Sequence, residues 1–226
     1  MVNDCTVSAA CLICQTCNAE WKELVMLKRE VKKYKKGQQL IVEGDPFEGI
    51  FFIRKGGLKV HKNWQNQKDL IIRWASVGDV IGHRGYGIPE LYPVSATCLE
   101  PVEACFIDKD FLQASLLSNA RFCHALLNVF SNDLKIAEER MKQLALMDVK
   151  GRLSLSLFEL EKKFGKDDNG FINISISRQD IASYAGTIYE TVFKIFTELV
   201  RARIIKTEQK KLGIIRPFEL AKFSAE

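Results

Sequence analysis

The chain has 226 residues, of which 47% are hydrophobic and 27% charged, with a formal net charge of +5. This length allows one large domain or two small ones, and the composition excludes collagen-like, low-complexity and mostly disordered chains. No apolar run approaches the ~18 residues of a membrane span, and the N-terminus lacks the pattern of a signal peptide. Seven cysteines in such a chain indicate a reducing compartment. We therefore expect a soluble, cytoplasmic protein with no membrane partner.

Most of the excess positive charge lies in the last third of the chain. Residues 1–149 carry 19 Lys and Arg against 18 Asp and Glu, whereas residues 150–226 carry 14 against 10. Such a local excess is typical of a segment that binds nucleic acid, although an ordinary solvated surface shows it as well. The charge alone does not choose between the two interpretations.

The first half of the chain predicts a short helix followed by a small β domain. Charged residues are interspersed with apolar ones over residues 20–34, which predicts the helix. Short β-rich runs then follow one another, separated by glycine and proline turn signals. Strands spaced eight to twelve residues apart are typical of a barrel or roll. We place this domain at residues 28–112, after a cysteine-containing tail of residues 1–27.

Residues 113–148 contain no glycine or proline and predict one long helix. Its apolar positions recur at intervals of three and four, as in the a and d seam of a coiled coil. The seam consists of Cys123, Leu127, Phe130, Leu134, Ala137, Met141 and Leu144. We expect it to form the interface of a symmetric homodimer, the alternative being an ordinary amphipathic helix packed on its own domain. A second apolar face is expected to cover the β domain, and it consists of Phe122, Leu126, Val129 and Ile136.

The segment after this helix predicts three helices and a hairpin, and two of the helices follow each other closely. Ser177 with Asp180 resembles a capping box that begins the first of these two helices, and Thr187 with Glu190 resembles another. Gly186 supplies a tight turn between them. Two capped helices joined by a glycine turn are typical of a helix-turn-helix, whose second helix enters the major groove of DNA.

Several side chains of this predicted winged helix-turn-helix domain, residues 149–226, suit contacts with DNA. Glu190 can accept a hydrogen bond from cytosine N4, and Lys194 can donate to guanine. Hydroxyl groups and the basic tip of the hairpin suit phosphate oxygens. The predicted DNA-binding residues are Ser177, Arg178, Tyr189, Glu190, Thr191, Lys194, Lys210 and Lys211. The alternative is a module that packs only against a partner protein.

From about residue 28 to its C-terminus the chain resembles the CRP/FNR family of bacterial transcription regulators. The resemblance is carried by the segments KGQQLIVEGDPFEGIFFIRKGGLKV, GDVIG, SATCLEPVEACFIDKDF, SRQDIASYAG and YETVFKIFTEL. It implies an α+β fold with an N-terminal cyclic-nucleotide-binding-type β-roll, a long dimerisation helix and a C-terminal winged helix-turn-helix. It also implies a homodimer on a palindromic site in double-stranded DNA, with RNA polymerase as a further partner. The chain has no phosphate loop, nucleophile elbow or paired histidine and carboxylate motif, so we expect no enzymatic activity.

Departures from the family pattern concern the effector. Members that bind cyclic AMP use a Glu for the ribose and an Arg-Ser pair for the cyclic phosphate. Here those positions hold His83 and Tyr92-Pro93, so we expect that cyclic AMP is not the effector. The predicted effector pocket consists of Gly82, His83, Arg84, Tyr92 and Ser95. At the DNA end, Tyr189 stands where cyclic-AMP-type members often have Arg.

The cysteines leave a second kind of signal open. The predicted metal ligands are Cys5, Cys11, Cys14, Cys17 and Cys105. Closely spaced thiolates can bind zinc or an iron–sulfur cluster, and the chain is similar here to FNR-type members, which hold a [4Fe–4S] cluster with N-terminal cysteines and one in the roll. The order of the N-terminal spacings differs from theirs. The remaining interpretations are a redox- or metal-sensing module acting through the same DNA-binding domain, incidental thiols, and a ligand-sensing module acting through protein contacts only.

Overall fold

The computed structural model describes residues 11–64 and 68–224, apart from the side chains of Cys14, Trp64 and Lys68. The chain divides into two compact units, of which the first comprises the residues up to 60 and 75–135, and the second residues 61–74 and those from 136 onward. None of the helices within the described residues has the length and hydropathy that a membrane span requires.

Within the described residues, two short helices precede a run of eight strands, and a run of five helices, a hairpin and a last helix follow. The helices are α1 (Leu12–Thr16), α2 (Ala19–Lys28), α3 (Lys109–Ser118), α4 (Ala120–Leu146), α5 (Val149–Phe164), α6 (Arg178–Ala185), α7 (Tyr189–Arg201) and α8 (Pro217–Lys222). The strands are β1 (Glu30–Tyr34), β2 (Gln39–Ile41), β3 (Gly49–Lys55), β4 (Leu58–Trp64), β5 (Lys68–Ala75), β6 (Val80–Ile81), β7 (Ser95–Cys98), β8 (Val102–Asp108), β9 (Ile205–Glu208) and β10 (Lys211–Ile214).

The strands β1 to β8 form two four-stranded sheets, which confirms the predicted β-roll. One sheet has the order β1-β8-β3-β6 and the other β2-β7-β4-β5. Strand β3 pairs antiparallel with β8, with Phe52 opposite Cys105. The four successive side chains Ile50 to Ile53 are all buried. A strand covered on both faces reads as a continuous apolar run, and this is why the segment lacks the alternation of a half-exposed strand.

The first predicted helix is shorter than expected. Helix α2 ends at Lys28, and residues 30–34 instead form β1, which pairs antiparallel with β8. Asn18 begins α2 by accepting a hydrogen bond from the backbone N–H of Trp21 at 2.8 Å. The pairing partner of β1 lies about 70 residues away, so a local helical pattern could not reveal the strand.

The helical stretch after β8 is two helices instead of one. It breaks at Asn119, whose backbone leaves the helical region and whose side chain accepts a hydrogen bond from the N–H of Phe122 at 3.1 Å. Asparagine is a favoured cap residue because its side chain satisfies an N–H that the helix leaves free. Phe122 and Leu126 of the second apolar face are buried, as predicted, whereas Ile136 is exposed.

The seam residues of α4 remain largely exposed in the single chain. Leu127, Leu134 and Met141 are each about 60% exposed, and Cys123 and Ala137 are partly buried. Large aliphatic side chains left in water along one helix face are a feature of surfaces that pack against a partner.

In the second unit, α5, α6, α7 and the β9–β10 hairpin enclose their own core, as predicted. Its fully buried members include Leu153, Leu157, Ile181, Val192 and Leu199. The apolar alternation of FINISI at residues 171–176 predicts a short strand, but this segment makes only an isolated bridge between Lys166 and Ile172. Helix α8 follows the hairpin and was not predicted.

Candidate nucleic-acid interface

Helices α6 and α7 form the predicted helix-turn-helix, and the first capping box is confirmed. The Ser177 hydroxyl accepts from the Asp180 N–H at 3.0 Å and donates to the Asp180 carboxylate at 2.5 Å. Gly186 ends α6 in the left-handed conformation with φ +64°. This backbone conformation favours glycine, and a Cβ atom at this position would lie 2.5 Å from Cδ2 of Leu144, so the end of that partly exposed side chain would have to shift.

The second predicted capping box is wrong. Helix α7 begins at Tyr189, its cap residue is Ile188, and no side chain caps it. The backbone N–H of Thr187 donates to the carbonyl of Ala182 at 3.0 Å, which places Thr187 in the turn rather than at the helix start. The turn is thus one residue longer than the sequence pattern indicated.

The two faces of α7 differ sharply in exposure. Val192, Phe196 and Leu199 are buried in the second unit. On the rest of its surface Tyr189, Glu190, Phe193 and Lys194 are exposed, and Thr191 is partly buried. Within the described part of the chain, Glu190 and Lys194 have no ion-pair partner, so their charged groups are available to a ligand.

The other predicted DNA-binding residues lie around this helix. The Ser177 hydroxyl is engaged by the cap, and the partly buried Arg178 guanidinium lies 5.2 Å from the Phe196 ring. The predicted hairpin is present as β9 and β10, with Lys210 and Lys211 exposed at its turn. Nζ of Lys211 lies 3.5 Å from the carboxylate of Asp167.

Two buried arginines hold the C-terminal end of α6, and the sequence did not indicate them. Arg152 donates from Nε to the carbonyl of Ala185 at 2.8 Å and from Nη2 to that of Gly186 at 3.4 Å. Arg140 donates to the carbonyl of Tyr184 and stacks its guanidinium 4.0 Å from the Tyr184 ring. These carbonyls have no partner within the helix and carry its negative dipole end, so cations stabilise them. A lone arginine in a helical pattern normally indicates an exposed position.

Helix α6 is also held by the β4–β5 segment of the same unit. The Ser183 hydroxyl accepts from the N–H of Ile71 at 3.1 Å and donates to the carbonyl of Asp69. The Trp74 and Tyr184 rings lie 5.0 Å apart. Burial, with the nearby Glu159 carboxylate, raises the pKa of the Tyr184 phenol, whose hydroxyl donates to Glu159. Helix α6 is therefore a fixed support for α7.

In the first unit, the predicted effector residues His83 and Arg84 both contact Asp133 of α4. Nε2 of the buried His83 lies 3.0 Å from Oδ2 of Asp133, and Arg84 donates to the same oxygen from Nε at 2.9 Å and from Nη2 at 2.7 Å. Gly82 precedes them in the left-handed conformation, and a Cβ there would lie 2.9 Å from the carbonyl of Gly49. Asp133 was not among the predicted residues, since a single acidic residue within a polar helix face gives no signal.

The other two predicted effector residues, Tyr92 and Ser95, hold nearby backbone. The Tyr92 hydroxyl donates to the carbonyl of Gly49 at 2.9 Å and accepts from the N–H groups of Glu48 and Gly49, each at 3.2 Å. Burial raises the pKa of this phenol. The Ser95 hydroxyl accepts from the N–H of Glu43 at 2.9 Å. The structure brings Tyr92 next to Gly82, and the role of these residues towards an effector stays a prediction.

The described cysteines do not form a cluster site. Cys11 and Cys17 are buried, and burial raises the pKa of the Cys17 thiol to about 11. Cys105 is buried in β8, with Nη1 of Arg29 3.7 Å from its sulfur. Among the described residues no three His, Cys, Asp or Glu side chains are placed to hold a metal ion. Cys5 and the side chain of Cys14 lie outside the described residues, so the predicted metal site stays a prediction.

Comparisons with known proteins identify a sensor-type domain in the first half of the chain and a helix-turn-helix domain at its end. The family model of the cyclic nucleotide-binding domain matches residues 31–119, and that of the Crp-like helix-turn-helix domain matches residues 151–223. The transcriptional activator protein Anr of Pseudomonas protegens is 27% identical over 220 residues, covering 96% of this chain and 89% of Anr. The CRP-like cAMP-activated global transcriptional regulator of Mycobacterium tuberculosis is 24% identical over 191 residues, covering 84% of this chain and 85% of that protein. The solved structure of FixK2 from Bradyrhizobium japonicum, 18% identical, has the same fold with a TM-score of 0.78 over 88% of this chain and 98% of FixK2.

Proposed function

Because the chain belongs to the CRP/FNR family of transcription regulators, we propose that it binds a palindromic DNA site as a homodimer, controlled by a signal at the β-roll. The family membership makes the chain a DNA-binding transcription regulator, and its relatives are regulators rather than enzymes, as the sequence predicted. The homodimer, the palindrome and the controlling signal are the parts that we propose.

One observation carries the DNA-reading part of the proposal: Tyr189, Glu190 and Lys194 are exposed together near the start of α7, while its other face is buried. Glutamate can accept from cytosine N4, and lysine can donate to guanine O6 and N7, so these side chains suit adjacent base edges in the major groove. Thr191, Arg178 and the wing residues Lys210 and Lys211 would position the domain on the phosphates. Ser177 contributes through the cap that begins α6.

The exposed seam of α4 supports the homodimer. Leu127, Leu134 and Met141 would be buried if the same face of a second copy packed against them. A two-fold axis along this helix pair would present two copies of α7 to half-sites one helical turn, ~34 Å, apart. A signal that favours one packing of the two α4 helices would then change DNA affinity by shifting the population of the competent spacing.

The contacts of Arg84 support the proposal that cyclic AMP is not the effector. Its guanidinium is the nearest candidate for a cyclic phosphate in this segment, and it is already bound by Asp133 through two hydrogen bonds. An incoming phosphate would have to displace that carboxylate. We expect equilibrium dialysis with radiolabelled cyclic AMP to show no saturable binding at micromolar concentrations, and saturable binding would overturn this part of the proposal.

The test of base reading uses the full chain and a duplex selected by it from a random library. Glu190→Ala is expected to lose discrimination at one base pair of each half-site by about 10-fold or more, as measured by fluorescence anisotropy with single-base variants of the site. Glu198→Ala, which removes an equal charge from the same helix, is the matched control and should keep the preference. Unchanged discrimination in Glu190→Ala would refute the assignment.

The two other functional interpretations make different predictions. A module that acts only through protein contacts would show no salt-dependent binding to duplex DNA, whereas the proposed function requires a steep fall in affinity with salt. An iron–sulfur or zinc sensor would contain metal when purified anaerobically. Iron, sulfide and zinc analysis with an absorption spectrum therefore decides whether the N-terminal cysteines supply the signal.

A further inference from the structure

We propose that Phe193, together with Tyr189, recognises thymine in the half-site by apolar contact with its C5-methyl group. This inference rests on the proposed binding of α7 in the major groove and deepens it by naming a base. Glu190 and Lys194 would recognise bases by hydrogen bonding, whereas Phe193 has no polar side-chain atom and would act by apolar contact alone.

The two rings form one exposed aromatic surface on α7. Tyr189 is 42% exposed and Phe193 is 54% exposed. Their ring centroids lie 6.4 Å apart with an interplanar angle of 24°, which the i, i+4 spacing on a helix allows. Val192 and Phe196 fill the inner positions of the helix, and Phe193 lies at the surface beside Phe196 and Val200. About half of each of the two rings is therefore left in water and can contact a ligand.

The position of the rings identifies what they can contact. Glu190 and Lys194 follow Tyr189 and Phe193 directly in the chain and are exposed with them, so the rings would enter the groove beside the charged readers. The excess of basic residues after residue 150 complements a polyanion. On the major-groove edges of the four base pairs, the apolar group is the thymine methyl. A phenyl ring gains little from a guanine or cytosine edge because it cannot satisfy their donors and acceptors.

A contact that removes these rings from water is energetically favourable. Burial of apolar surface is favourable in proportion to its area, and an exposed aromatic pair leaves that gain unused in the free protein. Contact with one methyl group should change the affinity about fourfold, from the transfer free energy of a single carbon. A dimer that reads the same thymine in both half-sites should show about 15-fold for the two methyl groups together.

The experiment replaces thymine by uracil, which removes the methyl and leaves every hydrogen-bonding group in place. The probe is the duplex selected by the wild-type chain from a random library, with each thymine of the half-site replaced by deoxyuridine in turn. Wild type is expected to lose about fourfold at one or two of these positions. Phe193→Ala should bind the unmodified duplex more weakly and no longer distinguish thymine from uracil there.

Phe218→Ala is the matched control, because Phe218 of α8 is 86% exposed and lies outside α7. It should keep the thymine preference. If Phe193→Ala fails to fold, Phe193→Gln keeps a side chain of similar length, and the same loss of preference is expected. The salt dependence of binding should not change in either Phe193 variant, since neither removes a phosphate contact.

Two outcomes would overturn the inference: wild type binds thymine and uracil duplexes equally at every position, or Phe193→Ala stays as sensitive to uracil as wild type. In either case the aromatic surface would serve another purpose, such as contact with a protein. If the library yields no enriched site at all, the proposed DNA-reading function itself fails. An enriched site without methyl sensitivity overturns this inference alone.

Discussion

Removal of the Asp133 carboxylate is expected to destabilise the β-roll unit, because two cationic or proton-donating side chains converge on it. One oxygen, Oδ2, accepts from Nε and Nη2 of Arg84 and lies 3.0 Å from Nε2 of His83. The Asp133 side chain is 10% exposed and that of His83 1%, so water cannot replace the carboxylate at the histidine. Arg84 is 25% exposed and can recover part of its hydration.

The magnitude follows from these exposures. Removing one partner of a buried ion pair costs about 3–5 kcal/mol, and the partial exposure of Arg84 lowers the expected loss to about 2–3 kcal/mol for Asp133→Ala. Asp133→Asn keeps an acceptor oxygen and should cost about half as much. Asn132→Ala, at the adjacent exposed position of α4, should stay within about 0.5 kcal/mol of wild type.

The assay is urea unfolding of the full chain, monitored by circular dichroism. The free energies of unfolding are compared with one common slope of free energy against urea concentration. A loss of less than 0.5 kcal/mol in Asp133→Ala, equal to that of Asn132→Ala, would refute the account of this contact as a structural link between the turn at residues 83–85 and α4. The contact between the Asp133 carboxylate and Arg84 would then contribute nothing measurable to the free energy of unfolding.

Three further perturbations test other contacts. Arg152→Met should lower the free energy of unfolding in urea by about 3 kcal/mol, because it leaves the carbonyls at the end of α6 without a partner. The control Lys150→Met removes a more exposed ion pair and should lower it by less than about 1 kcal/mol. Gly186→Ala should cost about 1–2 kcal/mol from its φ of +64°, and the shift that it forces on Leu144 should add little. A double-mutant cycle with Leu144→Ala should therefore recover only a small part of the loss. Burial raises the pKa of the Cys98 thiol to about 12, so Cys98 of the native protein should resist iodoacetamide at pH 8, as measured by mass spectrometry, and rapid labelling would contradict this. The unfolded thiol ionises first, so the contribution of Cys98 to stability should be lost as the pH rises from about 9 towards 12.

The patterns that the sequence predicted correctly are those set by neighbouring residues. The turns between short strands, the capping box of Ser177 and Asp180, and the glycine turn at Gly186 all depend on local hydrogen bonds or on φ. They were sufficient to predict the β-roll, the helix-turn-helix and the hairpin. The apolar spacing of α4 also correctly predicted that Phe122 and Leu126 are buried, whereas the same prediction for Ile136 is wrong. The role of the α4 seam as a dimer interface stays a prediction.

The features that the sequence did not reveal depend on partners far along the chain. β1 is a strand because β8 pairs with it, and Asp133 is buried because His83 and Arg84 reach it from a turn 50 residues earlier. The arginines that hold the end of α6 are buried for the same reason. The Thr187 prediction failed for a local reason, since two residues of the pattern matched a cap while the backbone placed the helix start later.

The proposed dimeric, sequence-specific DNA binding is tested most directly by one titration of the wild-type chain with two duplexes. One duplex is the selected palindrome, and the other carries the same palindrome with one half-site scrambled. We expect two chains per palindrome by analytical ultracentrifugation, an affinity about 10³-fold or more above non-specific DNA, and a large loss on scrambling one half-site. Equal affinity for the two duplexes, or one chain bound per palindrome, would contradict the account.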